Sequence, residues 1–191
     1  CSDGQISPGG ALRGDQFEGS PVFFEEKASS QKFYPRALFV DCEEIVLDDV
    51  ATATYRQLYN PSGLIYDKQS DTTSTFSSGF QQSTVLEESI EGIRKLIERC
   101  NNLDGYMLTF GLGGGLGSGL TSLLCSELKE MSPKAIISCH PIFPSLDRCR
   151  AGMSIEPYNT ILALKALSEF SNLSFPVEND AVWNICKNNL G

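Results

Sequence analysis

The sequence predicts an α/β fold in which a doubly wound parallel sheet carries helices on both of its faces. Short, uniformly apolar segments alternate along the chain with longer segments of helical periodicity, and this alternation is typical of parallel sheets buried on both sides. A glycine-rich loop joins one of the predicted strands to the helix behind it. Acidic and amide side chains follow other strands at their carboxyl ends, which is the edge where such sheets bind ligands.

Composition and charge narrow the class of protein. The chain has 191 residues, of which 41% are hydrophobic and 20% charged, as in an ordinary globular protein with a core of its own. The formal net charge of −9 argues against nucleic acid as the main partner, because that binding needs a basic face. No apolar run approaches the roughly 20 residues of a membrane-spanning helix, so we expect no membrane association.

The cysteines and the N-terminus bear on the cellular compartment. Seven cysteines are scattered without a CxxC pair, which favours reduced thiols in a cytosolic protein over a disulfide framework or a zinc site. Residues 1–5 have neither the basic start nor the hydrophobic stretch of a signal peptide. They also lack an initiator methionine, and we expect the sequence to begin inside a longer gene product.

The first part of the chain contains two predicted elements. Residues 1–32 are rich in Gly, Ser, Pro and Glu, and we expect them to form a mobile surface segment ahead of a domain that spans 33–191. A short apolar run predicts a buried strand at 37–40, followed by a short helix through 46–50. Two segments of turn-forming residues come next, a turn at 61–63 and a polar loop at 67–79.

Strands and helices alternate in the remainder of the chain. Apolar residues spaced by three and four positions predict amphipathic helices at 85–100 and 120–131. Pro157 suits the first turn of another helix, which begins at Glu156. The other predicted elements are strands at 106–110, 135–139 and 173–177 and a last helix at 179–188.

The loop that precedes the helix at 120–131 holds five glycines within residues 113–119. Glycines permit positive φ angles and let a ligand approach bare main chain, and the helix N-terminus behind them attracts phosphate. The loop has neither the Lys-Ser/Thr pair of a P-loop nor the G-x-G-x-x-G spacing of dinucleotide-binding proteins. It predicts a phosphate site of another type, and the alternative is a glycine-rich turn that packs closely on a neighbour.

Oxygen-bearing side chains at the same predicted edge could complete a nucleotide site. Asp41 and Glu43 follow the strand at 37–40 and are fit to hold Mg²⁺ beside phosphates, or else they form a solvated acidic helix start. Asp71 and Ser74, with the hydroxyls between them, could cap a terminal phosphate, or they belong to an ordinary polar loop.

Two later residues could bind the rest of a nucleotide. Glu156 could accept hydrogen bonds from ribose hydroxyls, or serve only as an acidic residue at a helix start. Asn179 could hydrogen-bond a purine edge through its amide, or only cap the last helix. With His140 as the one histidine in the chain, no Ser-His-Asp or Cys-His catalytic arrangement is indicated.

Several of these segments together resemble tubulins. The loop Gly113–Gly119 is similar to the tubulin signature, and Leu120–Leu124 continues it. Further segments that resemble tubulin, in the same order and across nearly the whole chain, are Arg36–Asp41, Thr54–Leu58, Gly92–Leu96, Glu156–Asn159 and Asn184–Cys186. Among these motifs, Tyr55–Leu58 and Thr121–Leu124 favour the α-type subunit.

The resemblance implies a Rossmann-like, tubulin/FtsZ-type domain that binds GTP and Mg²⁺. Carried over residue by residue, the implied GTP contacts are the main chain of Gly114, Gly115, Leu116 and Gly117, the terminal-phosphate loop at Asp71 and Ser74, Glu156 at the ribose and Asn179 at the guanine. Asp41 and Glu43 are implied to lie near Mg²⁺.

The resemblance also implies a cellular setting. The chain is expected to be a structural subunit of cytoplasmic microtubules that polymerises as a heterodimer with a β-type subunit, beside longitudinal and lateral tubulin neighbours. In an α-type subunit the GTP is held at the interface with the β-type partner and is not normally hydrolysed. Hydrolysis in the family needs an acidic residue from the next subunit, so the resemblance implies no catalytic residue in this chain.

Departures from the family pattern keep a second interpretation open. Leu116 stands where the family has threonine, Ser74 where asparagine is usual, and Ala151 and Gly152 replace polar residues of the ribose loop. No lysine precedes Lys27, so the luminal-loop lysine that is acetylated in many α-type chains is missing. The alternative is a degenerate tubulin-like chain that has lost nucleotide binding and acts only as an interaction module or is non-functional. A free-standing GTPase is a third class, and for it no catalytic base can be identified.

Overall fold

The chain divides into two compact units. A computed structural model describes residues 6–11, 22–27, 32–66, 74–145 and 155–189. One unit comprises Cys1–Gln69 and Glu88–Arg99, and the other comprises Ser70–Glu87 and Cys100–Gly191. No helix in the described ranges is both long and apolar enough to cross a membrane.

The first unit contains two small sheets. β1 (Phe24–Lys27) and β2 (Lys32–Pro35) form an antiparallel hairpin, and β3 (Phe39–Asp41) pairs in parallel with β4 (Leu64–Tyr66). Of these strands only β3 was predicted, and it lies slightly later than 37–40. The other three have only three or four residues each, too few for a pattern to emerge, so partner strands rather than local pattern define them.

A short helix follows β3, as predicted. α1 (Glu44–Thr52) buries Leu47, which lies on the apolar side of the predicted helix. Two 3-10 turns come next, at Arg56–Leu58 and Pro61–Gly63. Asn60 accepts a hydrogen bond at its Oδ1 from the N–H of Ser62 at 3.1 Å, which fixes the second turn and confirms the turn predicted at 61–63.

The second unit is built on a parallel sheet. β5 (Gly105–Gly111) pairs along its length with β6 (Ile136–Phe143), and β6 also pairs with two short strands, β7 (Leu173–Ser174) and β8 (Val177–Glu178). The single strand predicted here is interrupted at Pro176, which has no N–H for a ladder. The parallel pairing confirms the predicted α/β fold class.

Helices alternate with these strands. They are α2 (Phe76–Phe80), α3 (Ser83–Glu98), α4 (Thr121–Met131), α5 (Glu156–Phe170) and α6 (Asn179–Asn189). The second unit packs α4 against α5 and β6. Its core includes Val85, Leu112, Leu120, Leu124, Cys125, Leu128, Ala135, Ile137, Cys139, Ala163 and Leu167. The apolar stripe predicted for α4 is therefore confirmed.

The polar loop predicted at 67–79 is wrong at its end, where α2 forms. The Thr75 hydroxyl accepts a hydrogen bond from the N–H of Ser78 at 3.2 Å, and the Ser78 hydroxyl accepts one from the N–H of Thr75 at 3.2 Å. This capping box uses serine where glutamate or glutamine is usual, so the start of α2 carries no clear signal in the sequence. Residues 67–73 lie outside the described residues.

Candidate functional site

The glycine loop leaves the sheet at the carboxyl end of β5. β5 ends at Gly111, and one turn of π-helix (Leu116–Leu120) leads into α4. Leu112 anchors the loop, because its side chain is fully buried and its N–H donates to the Ile142 carbonyl of β6 at 2.9 Å. The loop therefore has the strand-to-helix position that the sequence predicted.

The main chain at the tip of this loop is open. The N–H groups of Gly113 and Gly114 donate to no acceptor within the described ranges. Gly114 is exposed, and a Cβ atom added there would meet nothing within 4 Å. Free N–H groups next to a helix N-terminus suit an anion. The tip of the loop is therefore suited to receive phosphate.

The later glycines of the loop are required by packing. A Cβ atom at Gly117 would overlap the Gly111 carbonyl oxygen, and one at Gly119 would overlap the Phe76 carbonyl oxygen of α2. Positive φ angles are not the reason for these glycines, because the one described glycine with such an angle is Gly10. The described glycines of this loop therefore do not use the positive φ angles that glycine permits, and close packing explains part of the glycine content.

Serine side chains close the π-helical turn. The Ser118 hydroxyl donates to the Gly114 carbonyl at 2.6 Å, and the Ser122 hydroxyl donates to the Ser118 carbonyl at 2.6 Å. Both serines are buried and already bonded, so neither offers a hydroxyl to a ligand. Leu116 is half-buried in the same turn and offers only its main chain.

The structure brings Glu156 next to the glycine loop. It lies in the first turn of α5, and its Cδ would be 3.3 Å from a Cβ atom added at Gly113. A carboxylate at this place can accept hydrogen bonds from hydroxyl groups of a ligand that reaches the loop.

Ser74 reaches the same region through its main chain. Its carbonyl accepts a hydrogen bond from the Asn159 side-chain amide at 2.9 Å, while the Ser74 residue itself is exposed. Asp71, predicted to share its role, lies outside the described residues, as do Ala151 and Gly152.

Sequence reasoning missed Asn159, although it ends a segment that resembles tubulin. This buried side chain accepts from the Phe76 N–H at 2.8 Å and donates to the Ser74 and Gly113 carbonyls. A signal was present, because Asn159 stands four and eight residues before Ala163 and Leu167, which are buried on the same side of α5. A polar residue in a buried helical stripe indicates a side chain with specific partners.

Asn179 leaves the sheet at the same edge as the glycine loop. The strand register pairs Gly111 with Ile142 and Ile142 with Val177, so β5 and β8 end on either side of β6. α6 begins at Asn179, whose side chain is exposed. The predicted convergence of the glycine loop and Asn179 on one edge is therefore observed within the second unit.

The two predicted magnesium ligands lie in the first unit, at the end of β3. Asp41 Oδ1 accepts hydrogen bonds from the N–H groups of Cys42 at 2.7 Å and Glu43 at 3.2 Å. Glu43 is exposed. Within the described ranges no three His, Cys, Asp or Glu residues cluster as metal ligands. Two carboxylates fit Mg²⁺, which usually keeps several waters and takes further ligands from phosphates.

A cavity in the first unit is separate from all these residues. Its volume is about 470 Å³, and Tyr34, Tyr59 and Leu96 are among the residues that line it. No predicted site residue belongs to its lining.

Comparison with known proteins gives the family. Residues 9–187 match the family model described as Tubulin/FtsZ family, GTPase domain. The chain is 35% identical to the Tubulin alpha-3 chain of Saccharomyces cerevisiae over 191 residues, which cover 99% of this chain and 42% of that protein. It is 37% identical to the Tubulin alpha chain of Eremothecium gossypii over 175 residues, which cover 91% of this chain and 38% of that protein. It thus spans about two fifths of the length of these curated relatives. The chain belongs to the Tubulin/FtsZ family and matches its GTPase domain.

Proposed function

We propose that the chain binds GTP with Mg²⁺ and is the nucleotide-binding part of an α-like tubulin, a structural subunit of microtubules. The observation that carries this proposal is the open tip of the glycine loop, where the N–H groups of Gly113 and Gly114 have no described acceptor. The loop lies at the carboxyl edge of a parallel sheet, where folds of this class bind ligands. Membership of a family whose matched domain is a GTPase domain selects GTP among nucleotides.

The parts of GTP are assigned to different segments. The main chain at Gly114–Gly117 holds the phosphates, and the segment with Asp71 and Ser74 covers the terminal one. Glu156 accepts hydrogen bonds from the ribose, since its carboxylate lies beside Gly113. Asn179 binds the guanine, because a side-chain amide both donates and accepts hydrogen bonds along a purine edge.

Asp41 and Glu43 are proposed to hold the magnesium ion. When bound, Mg²⁺ neutralises phosphate charge and keeps part of its water shell. Asp41 has one oxygen engaged by its own backbone turn, which fixes the direction of the carboxylate and leaves its second oxygen for the ion or its waters.

The polymer and its location are part of the same proposal. The two relatives carry the name of α-tubulin chains, which supports a heterodimer with a β-type subunit, tubulin neighbours along and beside it, and a place in the cytoplasmic cytoskeleton. We assign no catalytic residue to this chain, because hydrolysis at such a site needs a residue from the adjoining subunit.

A second candidate function is protein interaction alone. In this case the chain keeps the tubulin-like fold but no longer binds nucleotide. Packing alone requires glycine at positions 117 and 119, so these residues would persist without a ligand. Leu116 offers no hydroxyl to a phosphate.

Calorimetric titration with GTP and Mg²⁺ separates the two candidates. The polypeptide should be used at the length its gene encodes, with ATP as the competing nucleotide. We expect GTP to bind, and Gly114→Asp to weaken binding at least tenfold, because it places a carboxylate against the phosphates in space that is otherwise open. Gln81→Asp adds the same charge at an exposed position of the second unit and should leave affinity unchanged. Failure of the unsubstituted protein to bind GTP would favour the second candidate.

A further inference from the structure

Asn159 joins two segments of the candidate phosphate site through one side chain. It is 2% exposed and lies in the first turn of α5. Its Oδ1 accepts from the Phe76 N–H at 2.8 Å, and its Nδ2 donates to the Ser74 carbonyl at 2.9 Å and to the Gly113 carbonyl at 2.7 Å. One amide therefore ties the segment before α2 to the glycine loop.

The partners of Asn159 require the chemistry of a neutral amide. Two main-chain carbonyls need two donors, and one main-chain N–H needs an acceptor. An asparagine side chain supplies both, with two donors on its NH₂ group and an acceptor oxygen. A carboxylate would face two carbonyl oxygens with no proton to share. An apolar side chain of the same size would leave three buried main-chain groups without this hydrogen-bond partner. Each unsatisfied group would lower the free energy of unfolding.

We propose that Asn159 is a positioning residue that sets the spacing between the terminal-phosphate segment at Ser74 and the glycine loop, and so determines how strongly the site prefers GTP to GDP. This inference rests on the proposed function, in which those two segments contact different phosphates. Asn159 itself does not touch the nucleotide. Glu156 stands one helical turn earlier on α5, so the same helix that carries the ribose acceptor also aligns the phosphate segments.

The test is the affinity of Asn159→Asp for GTP and for GDP, each with Mg²⁺. The substitution keeps the size and the acceptor for Phe76 but removes both donors. We expect the GTP affinity to fall at least tenfold and the GDP affinity to fall less, because GDP does not need the Ser74 segment. The difference in GTP affinity between the wild type and Asn159→Asp should become smaller as the pH is lowered from 8 to 6. The protonated carboxylic acid of the variant can then donate one hydrogen bond to a carbonyl.

Thr160→Ala is the matched control. Thr160 is a buried neighbour on α5, and its hydroxyl donates only within its own helix, to the Glu156 carbonyl at 2.8 Å. We expect its GTP and GDP affinities to stay within twofold of the wild-type values. Asn159→Ser, which leaves space for a water molecule, replaces Asn159→Asp if circular dichroism shows that the latter is unfolded, and the same criteria apply to it.

The outcomes separate this inference from the proposed function. A wild-type protein that binds neither nucleotide would contradict the proposed function, and the inference with it. A wild-type protein that binds GTP, beside a folded Asn159 variant with an unchanged preference for GTP over GDP, would overturn the role of Asn159 alone.

Discussion

Two kinds of glycine stand side by side in the loop at residues 113–119. Gly114 faces open space, whereas Gly117 lies against the Gly111 carbonyl with no room for a side chain. The sequence predicted a ligand loop from the number of glycines. It could not distinguish the two kinds, because the difference depends on which main-chain atoms of β5 and α2 pack against each residue.

Substitution by alanine should affect stability differently at the two glycines. Gly117→Ala should lower the free energy of unfolding by about 1–3 kcal/mol, because the main chain must move to admit the methyl group. Gly114→Ala should change it by less than about 0.5 kcal/mol, as is usual for open surface positions. Urea denaturation of both variants measures the difference. Equal stability of the two would contradict the packing described for Gly117.

The burial of Asn159 could be predicted from the sequence, but its hydrogen-bond partners could not. Its place in a buried stripe could be read from the spacing to Ala163 and Leu167. Ser74 and Gly113 are separated from it by 85 and 46 positions, and their main-chain carbonyls carry no residue-specific signal. Contacts of this kind follow only from the assembled fold.

Long periodic helices were predicted well, and short elements were not. The helix predicted at 85–100 is α3, and the apolar stripe at 120–131 is buried in α4. β4 has three residues and α2 has five, too few for a period to emerge. Such short elements are defined by tertiary partners, which override local propensity.

α4 and β6 each bring one buried cysteine to their interface. The Sγ atoms of Cys125 and Cys139 are 4.0 Å apart, and both residues are fully buried. The hydrogen bond between the two thiols, together with burial, raises the pKa of Cys125, and the same bond lowers the pKa of Cys139.

This pair predicts an order of alkylation. At pH 8 Cys125 stays protonated because its pKa is raised, and a protonated thiol is a poor nucleophile. Cys139 holds the more acidic thiol but is closed to the reagent by burial. Iodoacetamide should therefore modify the exposed Cys186 first and the pair only after unfolding in urea, as measured by mass spectrometry. Modification of Cys125 in the native protein at the rate of Cys186 would contradict the packing of α4 on β6.

At the scale of the whole molecule, sheet topology makes the site predictable. Parallel strands end at one edge, so the glycine loop after β5 and Asn179 after β8 had to emerge together, and the register places them there. Asp41 and Glu43 belong to the other compact unit, and their magnesium role stays a prediction. The chain spans about two fifths of the length of its curated relatives, so partner subunits and polymerisation remain proposals.

Amide hydrogen exchange across residues 112–117, measured by mass spectrometry with and without GTP and Mg²⁺, tests nucleotide binding by the glycine loop most directly. The N–H groups of Gly113 and Gly114 have no described acceptor and should exchange quickly in the free protein. GTP should slow their exchange, because its phosphates would accept hydrogen bonds from them. GTP that binds by calorimetry and leaves exchange in this segment unchanged would contradict a phosphate site at the loop.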